Sequence, residues 1–284
     1  MRLIEVAVTK RRVKVAIYQH NGRKIYYEIH GEGRPMIVLN GIMMSTASWK
    51  MFVPALSAGN QLILMDFFDQ GQSEKLTDVK YDHSLQVEAL KGLLEHLGHE
   101  KINMIGVSYG GNTALKFAAE HPEMVERLII FHAAPDTGSW LRAVGKSWAM
   151  SIDDPENFYN TAIPVIYSPE FYNNNPEWIA ERKQLLTTQT FKDMDFMNAI
   201  VRLSESAEKY DIRDKLCQIT ARTMIVSAEY DLLTPPSEQK ALKDGIKDAE
   251  LVHLPGCGHA SMYEKPTLFL SFVLGFVNSD FTGL

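Results

Sequence analysis

Apolar residues along this 284-residue chain keep changing their period. Short, mostly apolar runs recur at Met36 to Leu39, Leu62 to Met65, Lys101 to Ile105, Val125 to Phe131, Thr223 to Ser227 and Glu250 to Leu254. Runs of that length read as strands buried on both faces, which need no polar alternation. Between them the spacing becomes helical: Ser48 to Leu56, Leu85 to Leu97, a helix from Tyr109 with Ala114, Leu115 and Ala118 on one side, Pro236 to Asp244, and Pro266 to Asn278. In the second of these, Leu85, Ala89, Leu93, Leu94 and Leu97 share a face and Gly98 is the expected stop. Upstream, Val13 to Tyr18 and Lys24 to His30 flank Asn21-Gly22, a hairpin signal because both turn residues must accept positive φ. Alternation of this kind predicts a mostly parallel α/β sheet covered by helices on both faces.

The alternation breaks from Asp136 to Tyr210, where no buried strand pattern recurs and three of the four tryptophans (Trp140, Trp148, Trp178) fall. Strands and helices then resume. The expected organisation is therefore one core domain, residues 1–135 and 211–284, interrupted by a helical lid over residues 136–210. The lid's aromatic and aliphatic residues, Trp140, Leu141, Trp148, Phe158, Ile163, Phe171, Tyr172 and Trp178, are open to two readings: the wall of an apolar pocket, or the lid's own core.

Charge narrows the partners. A net charge of −6 and a pI near 5.9 argue against nucleic acid or an anionic membrane, both of which require a dominant positive surface. A small-molecule substrate remains. The first 34 residues depart from the average, with eight basic residues against three acidic ones; Lys10 to Lys14 reads as a solvated edge strand, or else an anion site. The lid is nearly balanced, with 7 basic and 11 acidic residues from Asp136 to Lys209, which disfavours a strongly anionic substrate. Two cysteines, Cys217 and Cys257, make neither a disulfide framework nor a metal cluster, so no metal and no cofactor is expected and a reducing cytoplasm is the expected location. No stretch reaches the ~18 apolar residues of a membrane span. Oligomeric state is left open.

The candidate chemistry lies where the run ending near Ile105 gives way to a helix. Gly106-Val107-Ser108-Tyr109-Gly110 fits GxSxG, a nucleophile elbow, in the strand-turn-helix setting that this motif needs. Two glycines let strand and helix close on a tight turn that exposes the Ser108 hydroxyl, and the helix start aims free N–H groups at developing negative charge. A serine hydroxyl is a poor nucleophile at neutral pH, so a histidine base and an orienting acid are required. His259 follows the last predicted strand in a glycine-flanked loop, and Asp231 follows the one before it, giving the order Ser, Asp, His. Rivals exist: His132 also ends a strand, and Asp136 and Glu229 are alternative acids. Cys257 reads as packing.

With these residues in place the chain resembles the α/β-hydrolase superfamily, of the lidded kind that includes carboxylesterases, enol-lactonases and carbon–carbon bond hydrolases. The resemblance runs from the hairpin at Val13 to Asn278. It implies an eight-stranded, mostly parallel sheet with an inserted helical lid, and a serine esterase or lactonase acting on a small, largely apolar substrate through an acyl-enzyme on Ser108. Thioester hydrolysis, perhydrolysis, C–C cleavage and a non-turnover ligand receptor share the same three residues. It also implies an oxyanion hole from the backbone N–H groups of Ile42 and Tyr109. Two departures stand out. Asn40-Gly41-Ile42 replaces the usual His-Gly-x, and in LMDFFDQGQSEK the residues Phe68, Asp69 and Gln70 depart from Asp-x-Arg-Gly-x-Gly-x-Ser, where a structural turn is expected rather than a substrate role. A serine nucleophile disfavours dehalogenase and epoxide-opening chemistry, which use aspartate there.

Overall fold

A computed structural model describes residues 13–279. Eight strands, β1 (Val13–His20), β2 (Arg23–His30), β3 (Arg34–Leu39), β4 (Asn60–Met65), β5 (Ile102–Val107), β6 (Val125–Phe131), β7 (Arg222–Ala228) and β8 (Ala249–Leu254), form one sheet in the order β1-β2-β4-β3-β5-β6-β7-β8. Pairing is antiparallel for β1–β2 and β2–β4 and parallel elsewhere. The fold is that of an α/β hydrolase. The hairpin turns at Asn21 (φ 51°) and Gly22 (φ 81°), both in the left-handed region. Of the basic cluster, Lys10 to Arg12 lie outside the described residues; Lys14 is exposed on β1, an outer strand of the sheet.

Eleven α-helices lie among the described residues: α1 (Val53–Leu56), α2 (His83–His96), α3 (Tyr109–Glu120), α4 (Ser139–Ala149), α5 (Pro155–Ala162), α6 (Pro169–Asn174), α7 (Pro176–Thr188), α8 (Met194–Ser206), α9 (Pro236–Gly245), α10 (Ser261–Glu264) and α11 (Pro266–Asn278). Strand pleating divides the core between them. Ile37, Leu39, Ile63, Met65, Met104 and Ile130 bury against α2 and α3. Their neighbours Met36, Val38, Leu62, Leu64, Ile105 and Ile129 bury against α11 and α1 on the opposite face. Helix α2 ends as its sequence predicts, with Gly98 at φ 75° just past its last turn.

The predicted helix from Ser48 to Leu56 is instead two short pieces, a 3-10 turn at Thr46–Trp49 and the four-residue α1. Pro54 explains the break: it has no N–H to continue a helix begun at Ser48, so the chain restarts with proline in the first turn of α1. The apolar spacing is real, since Trp49, Phe52 and Leu56 are fully buried.

Between β6 and β7 the chain forms α4 to α8 and contributes no strand to the sheet. Its two ends meet in a bridge between Asp136 and Asp211, beside hydrogen bonds from Ile212 N to Pro135 O (2.9 Å) and Thr137 N to Tyr210 O (2.9 Å). Two further ties join α8 to the core: Arg202 donates to the buried Asp69 carboxylate (2.6 Å), and the Tyr109 and Ser206 hydroxyls lie 2.8 Å apart. No helix among the described residues is long and apolar enough to cross a membrane.

The close packing of α3 on the sheet depends on its glycines. A Cβ on Gly110 would lie 2.4 Å from the Leu39 carbonyl oxygen and 2.7 Å from that of Asn40, both immobile backbone atoms. Gly110→Ala should therefore cost about 2 kcal/mol or more, as a shift of α3 away from β3. A urea-unfolding midpoint equal to that of the unmodified protein would contradict this packing.

Candidate active site

Ser108 sits between β5 and α3 with φ 53° and ψ −119°, a strained conformation for a residue with a side chain. The sheet over-determines it: Ser108 N donates to Phe131 O at the end of β6 (2.8 Å), and Ser108 O accepts from Asn112 N to start α3 (2.9 Å). Locked in this way, the hydroxyl makes no capping bond to its own helix and is left for a partner from another loop.

That partner is His259, whose Nε2 lies 2.9 Å from Ser108 Oγ. The loop after β8 is fixed by two carboxylates. Glu229 accepts from Gly256 N (2.8 Å), and Glu264 accepts from Gly258 N (3.1 Å) and from Ser168 N and Oγ between β6 and β7 (3.0 and 2.6 Å). Gly258 has no room for a side chain, since a Cβ would lie 2.5 Å from Ser168 N. Glu264 went unrecognised in the sequence, because nothing local marks a carboxylate that clamps a loop to a segment nearly a hundred residues earlier.

His259 Nδ1 lies 2.9 Å from both oxygens of Asp231, which is buried in the loop after β7. Asp231 also accepts from Leu233 N (3.0 Å), Thr234 N (2.9 Å) and Thr234 Oγ1 (3.0 Å). Burial alone would raise its pKa, but attraction to His259, the close approach of His132 Nδ1 and the hydrogen bond from His259 outweigh burial and hold the carboxyl well below its usual range. Asp136, a rival acid, is engaged in the bridge to Asp211 and lies 3.9 Å from Arg213. His132, a rival base, lies beside His259 at the same carboxylate, its Nδ1 3.2 Å from Oδ2 and its ring centroid 5.3 Å from that of His259. Cys257 is fully buried and its thiol is pushed up to about 12, chiefly by burial.

The Asn40-Gly41-Ile42 loop passes close to Ser108, 3.6 Å from its Cβ to a Cβ placed on Gly41. Among the described residues neither Ile42 N–H nor Tyr109 N–H donates a hydrogen bond, and both residues line the cavity beside Ser108. Asn40, fully buried, donates to Met65 O (2.8 Å) and Gln70 Oε1 (3.1 Å) and accepts from Trp49 Nε1 (2.7 Å). Gln70 in turn donates to Gly41 O (2.8 Å). The two departures noted in the sequence thus support each other: Asn40 and Gln70 brace one loop, and Phe68, where the pattern has arginine, packs into the core. Asp69 occupies the pattern's glycine position at φ 68°, its carboxylate held by Arg202 and Tyr81.

A cavity of about 770 Å³ opens over Ser108, His259 and Ile42 and is roofed by the helices between β6 and β7. Its wall is mainly apolar, including Met43, Met44, Val144, Ile163, Leu186 and Phe191. Of the aromatic and aliphatic residues singled out in the sequence, Leu141, Trp148 and Ile163 reach this wall, Phe158, Phe171, Tyr172 and Trp178 pack within the helical segment, and Trp140 is exposed. Charged residues at the wall are Arg142, Lys146, Arg182, Glu205 and Glu208.

A strained serine at a strand-helix joint, with a histidine and an aspartate from later loops at the same edge of a mostly parallel sheet, defines an α/β-hydrolase architecture. The chain belongs to the α/β-hydrolase-fold family, whose model matches residues 34–266, and it is a hydrolase of that family. It is 42% identical to an α/β hydrolase enzyme from a Medee basin deep-sea metagenome library, over 95% of this chain and 99% of that one, with a TM-score of 0.92. It is 27% identical to the 2-hydroxy-6-oxo-6-phenylhexa-2,4-dienoate hydrolase of Comamonas testosteroni, over 89% of this chain and 91% of that protein. The enol-lactonase from Burkholderia xenovorans LB400 shares the fold, with 22% identity, a TM-score of 0.80, and coverage of 93% of this chain and 100% of that one.

Proposed function

We propose that the protein is a serine hydrolase that cleaves a small, largely apolar ester or related carbonyl compound through an acyl-enzyme on Ser108. The observation that carries this reading is the continuous hydrogen-bonded path from Ser108 Oγ to His259 Nε2 (2.9 Å) and from His259 Nδ1 to Asp231 (2.9 Å). In the proposed reaction His259 takes the hydroxyl proton as Ser108 attacks the carbonyl carbon, and Asp231 stabilises the resulting imidazolium. The N–H groups of Ile42 and Tyr109 receive the oxyanion, and the neighbouring Gln70–Asn40 brace keeps the first of them aimed before substrate arrives. The leaving alcohol takes the proton from His259, and a water activated by the same base releases the acid. The apolar wall of the 770 Å³ cavity supports a hydrophobic acyl or ring group, and α4 to α8 act as its lid.

Arg182 favours a second reading, cleavage of a carbon–carbon bond next to a ketone in a substrate that also carries a carboxylate. Its guanidinium lines the cavity over the ring of Tyr263 (5.7 Å), and among the described residues no carboxylate pairs with it. The relative from Comamonas testosteroni acts, by its name, on such a compound.

A fluorophosphonate probe, a panel of p-nitrophenyl esters and a vinylogous keto-acid separate these outcomes. Labelling confined to Ser108, with turnover of short or medium acyl esters, is expected. Labelling without turnover of any compound in the panel would replace the enzyme reading with a ligand receptor on the same fold.

A further inference from the structure

Four non-glycine residues among those described have positive φ: Asn21, Asp69, Ser108 and His132. Asn21 makes the hairpin turn, Ser108 is the elbow, and Asp69 is held by Arg202 and Tyr81. His132 (φ 54°) directly follows β6. Backbone strain of this kind persists where surrounding contacts over-determine it.

Its polar side-chain contacts are with Asp231 of the proposed triad and with Ser261 beside His259. The side chain is fully buried, with its ring centroid 5.3 Å from that of His259. Nε2 lies 2.6 Å from the hydroxyl of Ser261, two residues beyond His259. Nδ1 lies 3.2 Å from Asp231 Oδ2, in a bent contact that falls short of a fully aligned hydrogen bond. Chemistry selects between the two neutral tautomers. With the proton on Nε2, the Nδ1 lone pair would face a buried carboxylate oxygen, which is repulsive. With the proton on Nδ1, the ring faces Asp231 as a donor and Ser261 Oγ–H donates to Nε2, so every group is complementary.

We propose that His132 is a positioning residue of the triad: Ser261 holds it as the Nδ1–H tautomer, and it shares the Asp231 carboxylate with His259. This rests on the serine-hydrolase reading of Ser108, Asp231 and His259. The ionisable groups that face His132 are Asp231 from the loop after β7 and, from beyond β8, His259 and Glu264. Burial favours the neutral imidazole, against the opposing pull of Asp231. A neutral donor on Asp231 drains part of the charge that would otherwise hold a protonated His259. The sign follows: without His132 the carboxylate grips the imidazolium more strongly, so His259 is lost as a base at a higher pH.

Two variants and one spectrum test this. His132→Gly accepts positive φ and removes the donor; His132→Asn also tolerates that backbone and keeps an N–H near the Nδ1 position. The rate of Ser108 labelling by a fluorophosphonate, measured against pH, should show its acid limb displaced upward by about half to one pH unit in the glycine variant, with the asparagine variant close to the unmodified protein. A scaffold role alone would lower the rate without moving the limb, and a limb that coincides in all three proteins overturns the proposal. Nitrogen-15 NMR of the histidine-labelled protein reads the tautomer with no need for turnover: Nδ1–H on His132 is expected, and Nε2–H overturns the proposal even if the glycine variant fails to fold. If the unmodified protein resists labelling altogether, the serine-hydrolase reading fails, and the spectrum still decides the placement of the His132 proton.

Discussion

Ser108→Ala should abolish the p-nitrophenol burst and lower kcat for ester hydrolysis by about a millionfold, since serine and histidine act as one unit in this chemistry. The variant should fold normally. Ser108 makes no side-chain bond to its own helix, alanine has the same Cβ in the same backbone conformation, and the bonds that fix the turn, Ser108 N to Phe131 O and Asn112 N to Ser108 O, use main-chain atoms. The loss is therefore chemical: without the hydroxyl no acyl-enzyme forms, and His259 can at best activate a water in its place. Far-UV circular dichroism and thermal midpoint should match the unmodified protein, and fluorophosphonate labelling should vanish. Retention of more than a thousandth of kcat would show that another residue carries the reaction.

The oxyanion loop shows why some of this site is legible in the sequence and some is not. GxSxG declares itself because a strained turn needs glycines at fixed offsets, and Gly106 and Gly110 meet backbone at 2.7 and 2.4 Å when given a Cβ. The hairpin at Asn21-Gly22 and the stop at Gly98 follow from the same local rule, that positive φ selects few residue types. The strands are legible through their apolar runs, whereas the Ser48 to Leu56 stretch is not a single helix, because apolar period alone ignores the missing N–H of Pro54. Long-range pairings leave no local trace. Gln70 stands two residues past the place where the superfamily pattern has arginine, and nothing local marks it; only in three dimensions does its amide meet Gly41 and Asn40, about thirty residues away. His132 was visible only as a rival base, since a strand-terminal histidine does not reveal which side of the carboxylate it will occupy.

Asp231→Asn is the other substitution with a large expected effect, a drop in kcat on the order of 10⁴, and the surroundings of this carboxylate indicate why. Oδ1 accepts from Leu233 N and Thr234 N, two main-chain donors that cannot turn away. An asparagine carbonyl oxygen must occupy that place, which puts the amide NH2 where Oδ2 now faces His132 Nδ1 (3.2 Å), Thr234 Oγ1 (3.0 Å) and His259 Nδ1 (2.9 Å). Two N–H donors then confront a third. His259 Nδ1 also lies 2.9 Å from Oδ1, but there it competes with the two main-chain donors while the new amide NH2 repels its proton. Both effects favour the tautomer with the proton on Nε2, the nitrogen that has to accept from Ser108. Substrate binding relies on the cavity wall and should change little, leaving KM within a few-fold. Unlike Ser108→Ala, this variant retains its nucleophile, so slow stoichiometric labelling by a fluorophosphonate should persist. Full activity in Asp231→Asn would mean that the hydrogen bond to His259 Nδ1 orients nothing that the reaction needs, and the acid would have to be sought elsewhere.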